Sequence, residues 1–172
     1  MKRILCISLF AVAGPLAAQS APGAVATSNA VWSSTIGYII KSAEQVPEEM
    51  YSYKPTPDVR SFGQLIGHVA GAQYLYCAAV LGEKAGGEGD IEKSKTSKAD
   101  LVAAIKASTE YCKRAYKVTN AAAQRMTKVF GENHTKLYAL ISNASHDAEH
   151  YGNIVTYLRM NKMVPPSSQP GQ

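Results

Sequence analysis

Residues 82–97 read GEKAGGEGDIEKSKTS. Four glycines mixed with Glu, Asp and Lys mark a long solvated connection. The sequence on either side decides how it must run. Upstream, from Ser61, one helical stripe holds Leu65, His68, Ala72, Leu75 and Ala79. A second holds Phe62, Ile66, Val69, Tyr76 and Val80. So wide an apolar arc predicts a deeply buried helix. Downstream, Ser97-Lys98-Ala99-Asp100 has the form of a capping box. Leu101, Ile105, Ser108, Cys112, Ala115, Thr119, Ala122 and Met126 then keep a heptad-like spacing until Phe130-Gly131-Glu132-Asn133 breaks it. Sixteen extended residues reach about 50 Å, and a 20-residue helix is about 30 Å long. The connection can therefore return along the bundle and set the second and third helices parallel.

The cysteines bear on this arrangement. Cys77 follows Ser61, and Cys112 follows Ser97, at nearly equal distances. Parallel helices put both thiols at one height, which allows a disulfide; antiparallel helices separate them. Two buried free thiols are the alternative.

Outward from these helices, residues 21–27 read as a loose arm. Trp32, Ile36, Ile39, Ala43 and Val46 give a first helix, opened by Thr27 or Ser28 and stopped by Pro47. Residues 47–60 carry three prolines and read as a structured loop. A fourth helix covers roughly 134–161, with Leu137, Ile141, Ala144, Ala148, Tyr151, Val155 and Leu158 as its apolar stripe. Pro165-Pro166 ends it. No period-two alternation or hairpin signal stands out. The expectation is an all-α four-helix bundle with a long crossover between helices 2 and 3, occupying 21–172 as one domain. Its core runs about 28–162, and 163–172 form a mobile tail.

The N-terminus changes the charge arithmetic. Lys2 and Arg3 precede an uncharged run from Ile4 to Ala18, too short to span a bilayer comfortably. Small residues follow, with Ala18-Gln19-Ser20 as the cleavage pattern. Residues 1–20 read as a signal peptide, and the mature chain as exported, periplasmic or secreted. Removing Lys2 and Arg3 lowers the formal charge from +5 to +3. That weakens any nucleic-acid reading, and no basic helix face with interleaved aromatics supports one. No stable membrane insertion is expected after leader cleavage.

The chain has four histidines. His146 and His150 lie one turn apart on the fourth helix, a spacing that lets two imidazoles share a metal ion. The segment reads HDAEH, so it is not the HExxH protease motif. On the expected helix phase the pair points away from the apolar stripe. His68 lies on the main stripe of the second helix, beside Gly67, Gly71 and Ala72, which leave room next to its ring. His134 lies about 18 Å along the fourth helix from His146 and cannot share its metal. Taken alone, His68 reads as a core histidine bonded to a carbonyl, and the pair as surface residues or ligands.

Two segments carry a family resemblance: RSFGQLIGHVAGAQ at 60–73 and SHDAEHYGNIVTYLRMNKMVPPSS at 145–168. Over roughly 28–168 the chain resembles the DinB-type (DinB/YfiT-like) metal-binding four-helix bundles. The resemblance implies a crossover with parallel second and third helices. It also implies one divalent ion, zinc or nickel, held by His68, His146 and His150. Some relatives are transferases or isomerases that use a low-molecular-weight thiol, whose pKa the metal lowers. The expected function is a metal-dependent hydrolase or transferase acting on a small-molecule substrate. A non-catalytic metal-binding or stress-response module is the alternative. Asp147, Glu149, Asn153 and Tyr157 are candidates for supporting the ligands or moving protons, and no general base is assigned. Bundles of this kind often dimerise, so a homodimer is a possible assembly.

Overall fold

A computed structural model describes residues 21–170. The expected signal peptide, residues 1–20, lies outside that range. Four long helices form the bundle: α1 (Ala24–Gln45), α2 (Phe62–Leu81), α4 (Lys98–Ala115) and α6 (Lys136–Met160). Two short helices, α3 (Asp90–Ser94) and α5 (Asn120–Ala123), and two short strands, β1 (Met126–Val129) and β2 (Glu132–Thr135), complete the regular structure of the described residues together with two 3-10 turns.

Contacts along α2 and α4 rise in step. Cβ atoms built on Gly63 and Gly67 would touch Leu101, the Gln73 amide reaches Ser108, and Cys77 meets Cys112. The two helices are therefore parallel, and residues 82–97 make the long return, with α3 inside it. The matched thiols form a disulfide, with Cα atoms 5.3 Å apart. The opening cap of α4 is also as expected: Asp100 N–H donates to Ser97 Oγ at 3.1 Å.

The α1 stripe of Trp32, Ile36, Ile39, Ala43 and Val46 is fully in the core. Trp32 stacks on Tyr116 with ring centroids 4.3 Å apart. Burial of each large side chain contributes roughly 1.5–3 kcal/mol. The expected loose arm is shorter than 21–27, because α1 already begins at Ala24. Val25 is buried, and its N–H donates to Asn120 Oδ1 at 3.0 Å.

Three further expectations need correction. The third helix does not continue to Met126; it ends at Ala115. A β-hairpin follows, with Val129 paired to Glu132 around Phe130 and Gly131. Both turn residues have positive φ, 50° and 86°, as a two-residue turn of the primed type requires. Thr127 anchors the hairpin to the end of α2 by donating to the Ala79 carbonyl at 2.6 Å.

The phase of α6 is also displaced by about one residue, or about 100°. Its buried line is Leu140, Asn143, Asp147, His150, Ile154 and Tyr157, whereas Ile141 and Ala148 are exposed. The histidine pair therefore does not point away from the core.

Residues 163–170, expected in a mobile tail, are packed instead. Pro166 is buried, Tyr151 Oη donates to Ser167 Oγ at 2.8 Å, and Gln169 Nε2 donates to Gln45 Oε1 at 2.9 Å. Among the described residues no helix is long and apolar enough to cross a membrane.

Candidate metal centre

The start of α2 is fixed by a reciprocal cap. Gln64 N–H donates to Ser61 Oγ at 3.2 Å, and Ser61 N–H donates to Gln64 Oε1 at 2.8 Å. This sets the helical phase that turns His68 towards α6. Tyr157 Oη, near the far end of α6, donates to the Arg60 carbonyl at 2.6 Å. The end of α6 thus lies beside the start of α2, so the two helices run antiparallel. His68 is thereby brought level with His146 and His150.

The three imidazoles converge through their Nε2 atoms. His146 Nε2 lies 3.1 Å from His68 Nε2 and 3.1 Å from His150 Nε2. A set of one ligand atom from each ring lies within 4.8 Å, a group that can hold a metal ion. His68 and His150 are 8% and 7% exposed, and His146 is partly buried.

Hydrogen bonding alone serves this cluster poorly. A neutral imidazole nitrogen offers one hydrogen or one lone pair, yet His146 Nε2 faces two neighbours. A cation at the convergence point would accept all three lone pairs. Burial, reinforced by Arg60 and the His146 imidazole, pushes the His68 pKa down to about 4. Burial, reinforced by the His146 and His68 imidazoles and by Arg60, pushes His150 down to about 3. Both rings are therefore neutral near pH 7, the state that metal ligation needs. The donor set fits a divalent ion.

Polar groups also stand behind the three rings. Glu92 Oε2 lies 3.5 Å from His68 Nδ1, and Glu92 Oε1 accepts from Arg60 Nε at 3.0 Å. The Asn153 amide lies 3.4 Å from His150 Nδ1. Asp147 is fully buried, and its Oδ1 is 3.8 Å from His146 Nδ1, beyond hydrogen-bond range. Burial pushes its pKa up to about 6. Among the described residues His146 Nδ1 and both Asp147 oxygens have no hydrogen-bond partner.

Of the four supporting candidates, Asn153 and Asp147 stand beside rings of the histidine group. Glu149 is exposed, and Tyr157 is committed to the Arg60 carbonyl. His134 is outside the group; it sits on β2, stacked on Tyr138 at 3.9 Å between centroids.

The room expected beside His68 at Gly67 and Gly71 is not left open; the chain itself fills it. A Cβ on Gly67 would lie 2.8 Å from Glu92 Cα, and one on Gly71 would collide with the Glu88 carbonyl. The crossover thus brings Glu88 and Glu92 to the histidines. Neither was singled out from sequence; their four-residue separation and the glycines at 63, 67 and 71 were the available signals. On the other side a cleft of about 670 Å³ reaches His150, lined also by Lys54, Arg60, Gln64, Asn153 and Tyr157.

Known proteins share this arrangement of helices. A DinB-like protein from Bacillus cereus matches with a TM-score of 0.70 at 17% identity, over 81% of this chain and 93% of that one. A DinB-like protein from Bacillus subtilis matches with a TM-score of 0.66 at 22% identity, over 84% of this chain and 99% of that one. The mycothiol-dependent maleylpyruvate isomerase matches with a TM-score of 0.60 at 13% identity, over 78% of this chain and 66% of that one. At these identities the likeness is one of fold. No curated protein matches the sequence. The DinB superfamily model matches residues 33–154, a span that holds all three histidines, and the chain belongs to that superfamily.

Proposed function

We propose that this chain is an exported protein that holds one divalent ion, zinc or nickel, through His68, His146 and His150. It acts with that ion on a small molecule entering beside His150. The observation that carries the reading is the convergence of three Nε2 atoms, with His146 Nε2 at 3.1 Å from both others. Three neutral protein ligands with an approach from solvent are the pattern of catalytic rather than structural sites. When bound, the ion supplies Lewis acidity that polarises an oxygen or sulfur of the substrate.

The chain's own residues position that chemistry. Glu92, held by Arg60, orients His68 through Nδ1, and Asn153 is placed to do the same for His150. Tyr157 ties the 54–60 loop to α6 and so fixes one wall of the cleft.

Hydrolysis is favoured over thiol transfer. The Cys77–Cys112 disulfide suits the oxidising compartment to which a leader would direct the chain. Low-molecular-weight thiols are oxidised there. The fold shared with a mycothiol-dependent isomerase keeps thiol transfer as the competing reaction class.

A second reading, a metal-binding module without turnover, is favoured by one feature: the Glu88 carboxylate stands close to two of the three Nε2 atoms. Zinc- and nickel-loaded protein, screened against ester, amide and thiol-transfer substrates, separates these readings. Turnover that disappears in a folded His146→Ala variant supports the enzyme. Tight metal binding without turnover on any of them supports the module. Export is tested by N-terminal sequencing of secreted or periplasmic material, which should begin at Ala21, or at Gln19 if cleavage follows Ala18.

A further inference from the structure

The crossover is more than a connection. Gly63, Gly67 and Gly71 recur every four residues along one line of α2, where β-carbons would meet other backbone: the Tyr51 carbonyl, Glu92 and the Glu88 carbonyl, respectively. The last two positions are a trough in which the crossover lies directly against the helix. The segment is also pinned internally. Asp90 N–H donates to the Gly87 carbonyl at 3.1 Å, and Gly87 N–H donates to Asp90 Oδ2 at 2.7 Å. Arg60 holds Glu92 from the side.

The result is that one segment addresses both nitrogens of His68. Glu92 Oε2 lies 3.5 Å from Nδ1, and Glu88 Oε1 lies 3.7 Å from Nε2. Glu88 Oε1 is also 3.9 Å from His146 Nε2. It therefore lies beside two of the three converging Nε2 atoms. Four ligands at bonds of about 2.0–2.1 Å in a tetrahedron stand roughly 3.3–3.4 Å apart. The two His–His separations of 3.1 Å and the two Glu–His separations of 3.7 and 3.9 Å lie on either side of that value, and a side-chain shift of Glu88 towards His150 closes the set.

Resting on the three-histidine reading, we propose that Glu88 is a fourth protein ligand of the ion, delivered by the crossover and seated by Gly67 and Gly71. The donor set is then three imidazoles and one carboxylate. The imidazoles come from the packed helices α2 and α6, and the carboxylate comes from a turn whose side chain is 31% exposed. Glu88 is consequently the ligand whose replacement by a substrate oxygen or sulfur disturbs the least packing.

Cobalt(II) is the probe. Its visible absorption reports the ligand set, and its affinity is read by competition with a chromophoric chelator, using purified protein and the variants Glu88→Ala, Gly71→Ala and His146→Ala. Glu88→Ala is expected to weaken cobalt binding at least about tenfold, the lower end of what even an indirect supporting group gives, and to change the absorption spectrum. Gly71→Ala keeps every ligand but lifts the crossover, so it should alter the spectrum in the same direction. Circular dichroism confirms that each variant is folded; if Gly71→Ala is not, Glu88→Ala decides. Wild-type affinity and spectrum in Glu88→Ala, with cobalt lost from His146→Ala, would overturn the fourth ligand and leave the histidine site standing. An unchanged spectrum in folded Gly71→Ala would overturn the seating by the trough. Cobalt retained by His146→Ala would overturn the histidine site itself.

Discussion

Gln73 and His68 share one helix and are both buried, but they serve two different polar clusters. Around Gln73 each group has a partner. Trp32 Nε1 donates to Gln73 Oε1 at 3.0 Å, and Gln73 Nε2 donates to Ser108 Oγ at 3.0 Å. Ser108 Oγ and Thr109 Oγ1 in turn donate to the Ile105 carbonyl. The cluster ties α1, α2 and α4 together next to the disulfide. Around His68 the pairing is incomplete: His146 Nε2 faces two rings, and among the described residues the buried Asp147 carboxylate has no hydrogen-bond partner. A complete buried network specifies a fold, whereas an incomplete one needs an explanation such as a ligand. The contrast predicts that damage to the first cluster costs stability and damage to the second costs metal.

The largest stability effect should come from the complete side. Replacing both Cys77 and Cys112 with alanine removes a crosslink between residues 35 positions apart. The loop-entropy relation gives a loss of about 4 kcal/mol in urea unfolding, with metal affinity essentially unchanged. Gln73→Leu comes next. It strands the Trp32 N–H and should cost about 2–3 kcal/mol, again without loss of metal. If either variant lost the metal selectively while folded, the two clusters would not be separate.

These expectations rest on parts of the molecule that differ in how openly the sequence announced them. Parallel α2 and α4 were legible because loop length, a Ser97 cap and matched cysteine heights are local arithmetic. The hairpin was hidden because its strands are short and its turn is Phe130-Gly131, where phenylalanine takes a φ of 50° that its side chain rarely adopts. The phase of α6 is hidden for a different reason. Asn143, Asp147 and His150 point inward, so a hydrophobic stripe was the wrong guide to the buried face of a helix that builds a polar site. The three histidines were legible through their spacing and the family resemblance. Glu88 and Glu92 were not, because only the tertiary approach of the crossover to the Gly67–Gly71 trough brings them there.

The incomplete side should respond to acid. His68 and His150 have pKa values depressed below the ordinary 6.5 by burial. The folded, metal-free state therefore prefers neutral rings. Their contribution to stability is complete above about pH 6.5 and declines as pH falls towards about 4 and then about 3. Urea midpoints of chelated protein should fall across that window, and the decline should be shallower in His68→Gln/His150→Gln. Parallel declines in wild type and variant would contradict the assignment of the loss to these rings.

The smallest effect belongs to a supporting group. Asn153→Ala removes the amide beside His150 Nδ1 and should weaken metal binding about tenfold, with little change in unfolding of the chelated protein. His134→Ala, outside the cluster, should change neither quantity measurably.

The most direct measurement is the metal content of wild-type protein and of a His68→Ala/His146→Ala/His150→Ala variant, each purified from its native compartment and checked for helical content. The account predicts about one divalent ion per wild-type chain and none in the folded triple variant. Equal metal in both would contradict it.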